Sequence, residues 1–148
     1  MEITKAVLSD IPDLCALLRA LFTQEIEFEA DREKQTRGLT SVIKNPEIGE
    51  ILVVRDSGRV IGMVNILYTL STALGGRVAI LEDMVVSPDM RGSGVGTELL
   101  KHAVRHASEN GCERITLLTD NDNLGAQRFY KRLGFNCSEM VVFRKLLG

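Results

Sequence analysis

Apolar residues recur at helical spacing in some stretches of the chain and bunch into short runs in others. Residues 2–7 alternate loosely and read as a strand. Ser9-Asp10-Ile11-Pro12 starts a helix, with a capping side chain ahead of an early proline. Ile11, Leu14, Leu17, Leu18, Leu21 and Phe22 then mark an amphipathic face. A weaker helix spans 31–45 and stops at Pro46. Residues 51–54 are a strand, Asp56-Ser57-Gly58 a turn, and 60–68 the returning strand of a hairpin. Gly62 inside that strand indicates a bulge or a close backbone approach. Residues 71–77 form a loop around Gly75-Gly76, and 78–86 a long apolar strand interrupted only by Glu82-Asp83. After a loop over 87–94, Val95, Leu99, Leu100, Ala103, Val104 and Ala107 line a helix that ends near Gly111. A strand over 114–119 precedes a helix that opens at 120–123 and closes at Gly134. Phe135 is placed for the apolar contact of a Schellman-type end. A last strand covers 139–146, with room for a further short one near Phe135. The order β-α-α-β-β-β-α-β-α-β(-β) makes an α/β (α+β) fold. Its sheet is mixed and mostly antiparallel, flanked by helices, and not doubly wound.

A chain of 148 residues, 45% hydrophobic and 26% charged, suits a single globular domain over 1–148. Lys and Arg number 18 against 20 Asp and Glu, a net charge of -2, which argues against a duplex-binding protein. No apolar run is long enough to span a bilayer, and MEITKAVLSDIPDL lacks the pattern of a secretory signal. A soluble, cytoplasmic protein with neither nucleic-acid nor membrane partners is the expectation. Cys15, Cys112 and Cys137 have no Cys-x-x-Cys spacing, so neither a zinc ribbon nor a disulfide framework is indicated. His102 and His106 are four apart, but residue 103 is alanine, and a solvated helix face accounts for them. Asp120-Asn121-Asp122-Asn123 has the start of a calcium loop, yet Lys131 stands where its Glu is required. No metal is expected.

Chemistry concentrates where the apolar strand runs into a glycine-rich loop and a helix start, Leu81-Glu82-Asp83-Met84-Val85-Val86-Ser87-Pro88-Asp89-Met90-Arg91-Gly92-Ser93-Gly94-Val95-Gly96-Thr97. Glycines let a ligand approach the backbone, and the unpaired N–H groups at the positive end of a helix dipole hold phosphate. Arg91 adds a cation able to grip two oxygens. The P-loop lysine is missing, and Gly92, Gly94 and Gly96 do not give the Gly-x-Gly-x-x-Gly of a Rossmann unit.

The spacing Arg-x-x-Gly-x-Gly from Arg91 to Gly96 resembles the GCN5-related N-acetyltransferase (GNAT) family. Asn123-Leu124-Gly125-Ala126-Gln127-Arg128-Phe129-Tyr130 followed by Gly134-Phe135 is similar to that family's second motif. The resemblance runs from Leu81 through Phe135, and the element order matches over the whole chain. It implies a GNAT-type fold in which acetyl-coenzyme A lies between two splayed parallel strands, here the one ending at Val86 and the one at 114–119. Met84, Val85 and Val86 would be main-chain contacts of the pantetheine arm. Gly92, Ser93, Gly94, Val95, Gly96 and Thr97 would cradle the pyrophosphate with Arg91 beside them, and Asn123 would touch the cofactor arm. Tyr130 matches the family's proton donor to the leaving thiolate, and aromatic packing with Phe129 is its structural alternative. Glu82 matches the position of a base for the amine, with Asp83 an immediate rival. Neighbouring strand residues point to opposite faces, so only one of the two is expected to face the site. The oxyanion would be held by a backbone N–H near Met84 or Val85. The family's acceptor site corresponds to about residues 22–37 and 69–77, where Glu25, Glu27, Glu29 and Asp31 form an acidic cluster.

The implied function is transfer of an acetyl group from acetyl-coenzyme A to a primary amine of a small molecule, by direct attack in a ternary complex. A protein N-terminus or lysine is the alternative acceptor. A non-catalytic coenzyme-A-binding module and a nucleotide-binding regulator are the rivals. A homodimer through the last strands is compatible with the resemblance.

Overall fold

The computed structural model describes residues 1–22 and 31–148. They fall into two compact units, residues 1–118 and 119–148.

The first unit holds β1 (Glu2–Lys5), α1 (Ile11–Phe22), α2 (Arg32–Lys44), β2 (Gly49–Asp56), β3 (Arg59–Ser71), β4 (Gly76–Val86), α3 (Val95–Glu109) and β5 (Ile115–Leu117). Short 3-10 turns at Leu8–Asp10 and Pro88–Met90 lead into α1 and towards α3. The strands lie in sequence order, β1-β2-β3-β4-β5. All pairs are antiparallel except β4 with β5, which is parallel. The β2–β3 turn places Ser57 and Gly58 at φ 51° and 79°, the backbone whose twist matches the flanking strands. The loop expected at 71–77 is shorter than the sequence suggests. Ser71 pairs with Gly76, and the Gly75 N–H donates to the Ser71 carbonyl at 2.8 Å, so a tight turn joins two long strands.

The sheet is covered on both faces. Leu14, Leu17 and Leu18 of α1 and Leu39 and Val42 of α2 form one buried cluster with Ile51, Val53, Met63 and Val85 of the strands. On the other face, Leu99, Leu100, Ala103 and Ala107 of α3 are fully buried. A Cβ on Gly62 would lie 3.6 Å from Leu99 Cδ2 and 3.4 Å from Val54 Cγ2, so that helix sits close over the strand. The bulge expected there is also present: the register steps from Val54↔Gly62 to Arg55↔Val60 and leaves Ile61 over. His106 is less solvated than its helix face suggested, since its Nε2 meets the Glu50 carboxylate of β2.

Asp10 joins the start of α1 to the sheet. Its buried carboxylate takes two parallel hydrogen bonds from Arg55, at 2.7 and 2.6 Å, and a third from the Val7 N–H at 2.8 Å. The Arg55 bonds are the main reason the Asp10 pKa lies below its ordinary value.

The second unit holds α4 (Leu124–Arg132). Asn123 caps it, its Oδ1 accepting from the Ala126 N–H at 3.1 Å. The helix closes as expected. The Phe135 N–H donates to the Tyr130 carbonyl and the Gly134 N–H to that of Lys131, both at 3.1 Å, with Gly134 at φ 93°. The strand expected over 139–146, and the short one near Phe135, are not formed. The run Met140-Val141-Val142-Phe143 has strand-like composition, but a strand exists only with a hydrogen-bonded neighbour. These residues pair with none among those described, and Met140, Phe143, Leu146 and Leu147 are exposed.

Candidate active site

β4 pairs with β5 only from Ala79↔Ile115 to Leu81↔Leu117. β4 then runs on to Val86, still paired to β3 through Val85↔Met63 and Val86↔Gly62. On its β5 side the backbone of residues 82–86 therefore has no strand neighbour among the described residues. Met84, Val85 and Val86 thus lie on an edge of β4 whose main chain has no strand partner on the β5 side among the described residues, with Val85 buried in the core. Buried peptide groups need partners, and an extended ligand carrying amides can supply them.

This edge of β4 leads into the glycine loop. Arg91 is exposed, and its Nε donates to the Val86 carbonyl at 3.4 Å. Gly92 and Gly94 have φ of 80° and 86°, a conformation that L side chains rarely adopt, and a Cβ on either would meet nothing within 4 Å. Ser93 ties the loop internally through its hydroxyl to the Met90 carbonyl. Gly94 is the N-cap of α3 and supplies no side-chain cap. The first N–H groups of the helix, from Val95, Gly96 and Thr97, therefore face outward at the positive end of its dipole. The loop thus has the donors and the bare backbone that a pyrophosphate needs.

Glu82 is exposed, and its register partner is Asn65 of β3. Directly paired residues share a face of the sheet, and here it is the α1 face, since Met63 and Val85 pack in the α1 cluster. Asp83 breaks the expected alternation. It adopts φ 54°, and between Val85↔Met63 and Glu82↔Asn65 strand β4 carries one residue more than β3. The Asp83 side chain hydrogen-bonds to Asn65, so Glu82 and Asp83 stand on the same face. The expectation that only one of them could face the site is corrected by this bulge. Burial, and then the charge of Glu82, push the half-buried Asp83 carboxyl up to about 6, against a smaller pull down from Asn65.

Within the second unit, Tyr130 packs edge-on against Phe129 and Phe135, with ring centroids 5.3 and 6.0 Å apart. Burial raises its hydroxyl pKa above the ordinary 10. The contacts that clamp the ring also fix where its hydroxyl points.

The family model for the GNAT acetyltransferase family matches residues 11–135, across both units. The chain belongs to that family. The acetyltransferase is 28% identical over 145 residues to an aminoalkylphosphonate N-acetyltransferase of Salmonella typhimurium, covering 98% of this chain and 91% of the relative. It is 32% identical over 138 residues to the uncharacterized N-acetyltransferase YhfO of Bacillus subtilis, covering 91% and 89%. Its fold matches the crystal structure of a predicted acetyltransferase of Clostridium acetobutylicum with acetyl-CoA. The TM-score is 0.81 at 23% identity, over 97% and 95% of the two chains. The protein is thus an acetyl-CoA-dependent N-acetyltransferase.

The acetyltransferase also has a clamp that sequence reading missed. Arg59 donates to both Asp89 oxygens, at 2.9 and 3.2 Å, and to Ser87 Oγ at 2.9 Å, while the Ser87 hydroxyl donates to Asp89. The bond from Arg59 holds the Asp89 carboxyl well below the usual range. With the Ser87 N–H on the Ile61 carbonyl at 2.7 Å, these bonds fasten the start of the glycine loop to the β2–β3 hairpin. In Arg59→Ala the loop loses this tie, and KM for acetyl-CoA rises severalfold with kcat nearly unchanged. Steady-state kinetics with the amine saturating checks this, and a fall confined to kcat would contradict it.

Of the acidic cluster expected to line the acceptor site, Glu25, Glu27 and Glu29 lie outside the described residues. Asp31 is engaged as the N-cap of α2, accepting from the Lys34 N–H at 3.1 Å. Among the described residues no helix is long and apolar enough to cross a membrane, and no three His, Cys, Asp or Glu side chains group as a metal site.

Proposed function

We propose that the protein acetylates a primary amine of a small molecule by direct attack on acetyl-CoA in a ternary complex. The observation that carries this reading is that β4 runs on past the end of its pairing with β5 at Leu81, with a glycine loop and an uncapped helix start at its end. Met84, Val85 and Val86 hold the pantetheine arm by their main chain. Arg91 and residues 92–97 hold the pyrophosphate. Asn123, whose Oδ1 is used in capping α4, offers its amide nitrogen to the cofactor arm. An N–H near Met84 or Val85 stabilises the oxyanion.

The acceptor amine arrives mostly protonated at neutral pH and has to lose a proton before it can attack. The carboxylate pair Glu82 and Asp83 on the α1 face supplies the base. The nitrogen then attacks the thioester carbonyl, the carbon–sulfur bond breaks, and Tyr130 protonates the sulfur. Its raised pKa keeps the hydroxyl protonated through the neutral range. A small acceptor is supported by the Salmonella relative, whose name specifies an aminoalkylphosphonate. The three free cysteines suit a reducing compartment such as the cytoplasm. The exposed apolar residues Met140, Phe143, Leu146 and Leu147 support a homodimer that covers them.

Release of free thiol from acetyl-CoA across amines, amino acids, polyamines and short peptides tests the reading. Turnover with one class of small amine supports it. Turnover confined to peptides moves the acceptor to a protein N-terminus or lysine. Acetyl-CoA binding without turnover favours a binding module, and failure to bind acetyl-CoA overturns the proposal. Mass measurement in solution decides the dimer.

A further inference from the structure

We infer that Asp83, positioned by Asn65, is the group that takes the proton from the acceptor ammonium, and that Glu82 acts on it as a neighbouring charge. This rests on the reading of the site as an amine acetyltransferase. Three features of the β4 bulge carry it. The first is orientation: the left-handed backbone at Asp83 turns its side chain onto the α1 face beside Asn65. A non-glycine residue keeps φ 54° inside a strand only where the surrounding structure enforces it, and such places cluster at sites of chemistry. The second is burial: Asp83 is half-buried whereas Glu82 is exposed, so a proton is exchanged most directly with water at Glu82 and with a bound ligand at Asp83.

The third is an unused acceptor. Asn65 is buried, and its Oδ1 has no hydrogen-bond partner among the described residues. A carboxylate and a buried carbonyl oxygen side by side are both acceptors, and neither satisfies the other. An ammonium carries three N–H donors and can serve both at once. A buried acceptor left empty is costly, so the pair is matched to a ligand that brings donors.

The protons balance as follows. The substrate ammonium gives one proton to Asp83, leaving a neutral amine with a free electron pair. As the carbon–nitrogen bond forms and the carbon–sulfur bond breaks, the nitrogen loses a second proton. That proton replaces the one Tyr130 gives to sulfur. Asp83 then releases its own proton to solvent.

The groups that set the Asp83 titration are its burial, Glu82 on its own strand and Asn65 on β3. From α1, which packs on β3 and β4, the acidic residue Asp13 is turned to the Val60 N–H at 3.3 Å. Neither Asp13 nor Arg19 enters among the causes acting on Asp83.

The test is the pH dependence of kcat/KM for the acceptor in wild type, Asp83→Asn, Glu82→Gln and Asn65→Leu, with acetyl-CoA binding measured in each. The wild-type profile falls on the acid side with a midpoint near 6. Asp83→Asn loses that limb and about 10²–10⁴ in rate. Glu82→Gln loses less rate than Asp83→Asn and moves the limb to lower pH, because a like charge is gone. Asn65→Leu retains the carboxylate but moves the limb to higher pH and raises KM for the amine, an outcome that a merely structural role would not produce. If Glu82→Gln abolishes the limb while Asp83→Asn keeps it, the assignment is overturned. Carboxyl-carbon NMR of the free protein is independent of turnover. Asp83 titrating near 6, and higher in Asn65→Leu, supports the inference, and Asp83 titrating in the ordinary carboxylate range defeats it. Absence of wild-type turnover counts against the proposed function and leaves the NMR arm to decide this inference.

Discussion

In Tyr130→Phe, kcat for acetyl transfer falls about 10²-fold at neutral pH while the protein still binds acetyl-CoA. General acids are worth about 10²–10⁴ in rate. The lower figure applies because the leaving group is a thiolate, whose conjugate acid has a pKa of about 8.5, so it departs without full protonation. The fold tolerates the change. Phenylalanine keeps the edge-on contacts to Phe129 and Phe135, and the helix close depends on the Tyr130 carbonyl, not its hydroxyl. Single-turnover thiol release separates this loss from any change in product release. An unchanged rate would remove Tyr130 from the chemistry and leave it as a packing residue.

Arg55→Ala has the largest expected effect on stability, about 3 kcal/mol at neutral pH. Removing one partner of a buried pair leaves the other charge without compensation. Asp10 keeps only 8% of its side chain exposed, and without Arg55 its carboxylate retains, among the described residues, the Val7 N–H. The lower end of the range for such losses applies because the Arg55 side chain is 26% exposed. The pH dependence fixes the cause. The folded-state pKa of Asp10 lies below its ordinary 3.8. Its stabilisation is therefore complete above that value and disappears as the pH falls through the folded pKa. Urea denaturation should show wild type and Arg55→Ala far apart at pH 7 and converging in strong acid. A gap that persists in acid would mean that the arginine stem, not the ion pair, was holding the strand.

Much of the fold is legible in the chain because its information is local. The turn at Ser57-Gly58 and the close at Gly134 each depend on a few adjacent residues. The glycine loop is legible for the same reason, since Gly92 and Gly94 announce their backbone by their lack of a Cβ. The features that escaped are those decided by a distant partner. Arg59 and Asp89 are 30 residues apart. Whether Glu82 and Asp83 share a face depends on β3, where Met63 and Asn65 are paired with residues three apart on β4. Strict alternation, the rule that sorts strand residues into faces, fails wherever one strand is a residue longer than its neighbour. The segment 139–146 has the composition of a strand but finds no partner in the described chain, and pairing, not composition, makes a strand.

The bulge at Asp83 divides β4 into two phases, one running back from Glu82 and one forward from Val85. Loss of Met84 would bring the two phases into step. The strand would become regular and the neighbouring carboxylates would part to opposite faces. A length difference of one residue, easily passed over when chains are compared by identity alone, thus decides whether the two carboxylates stand together.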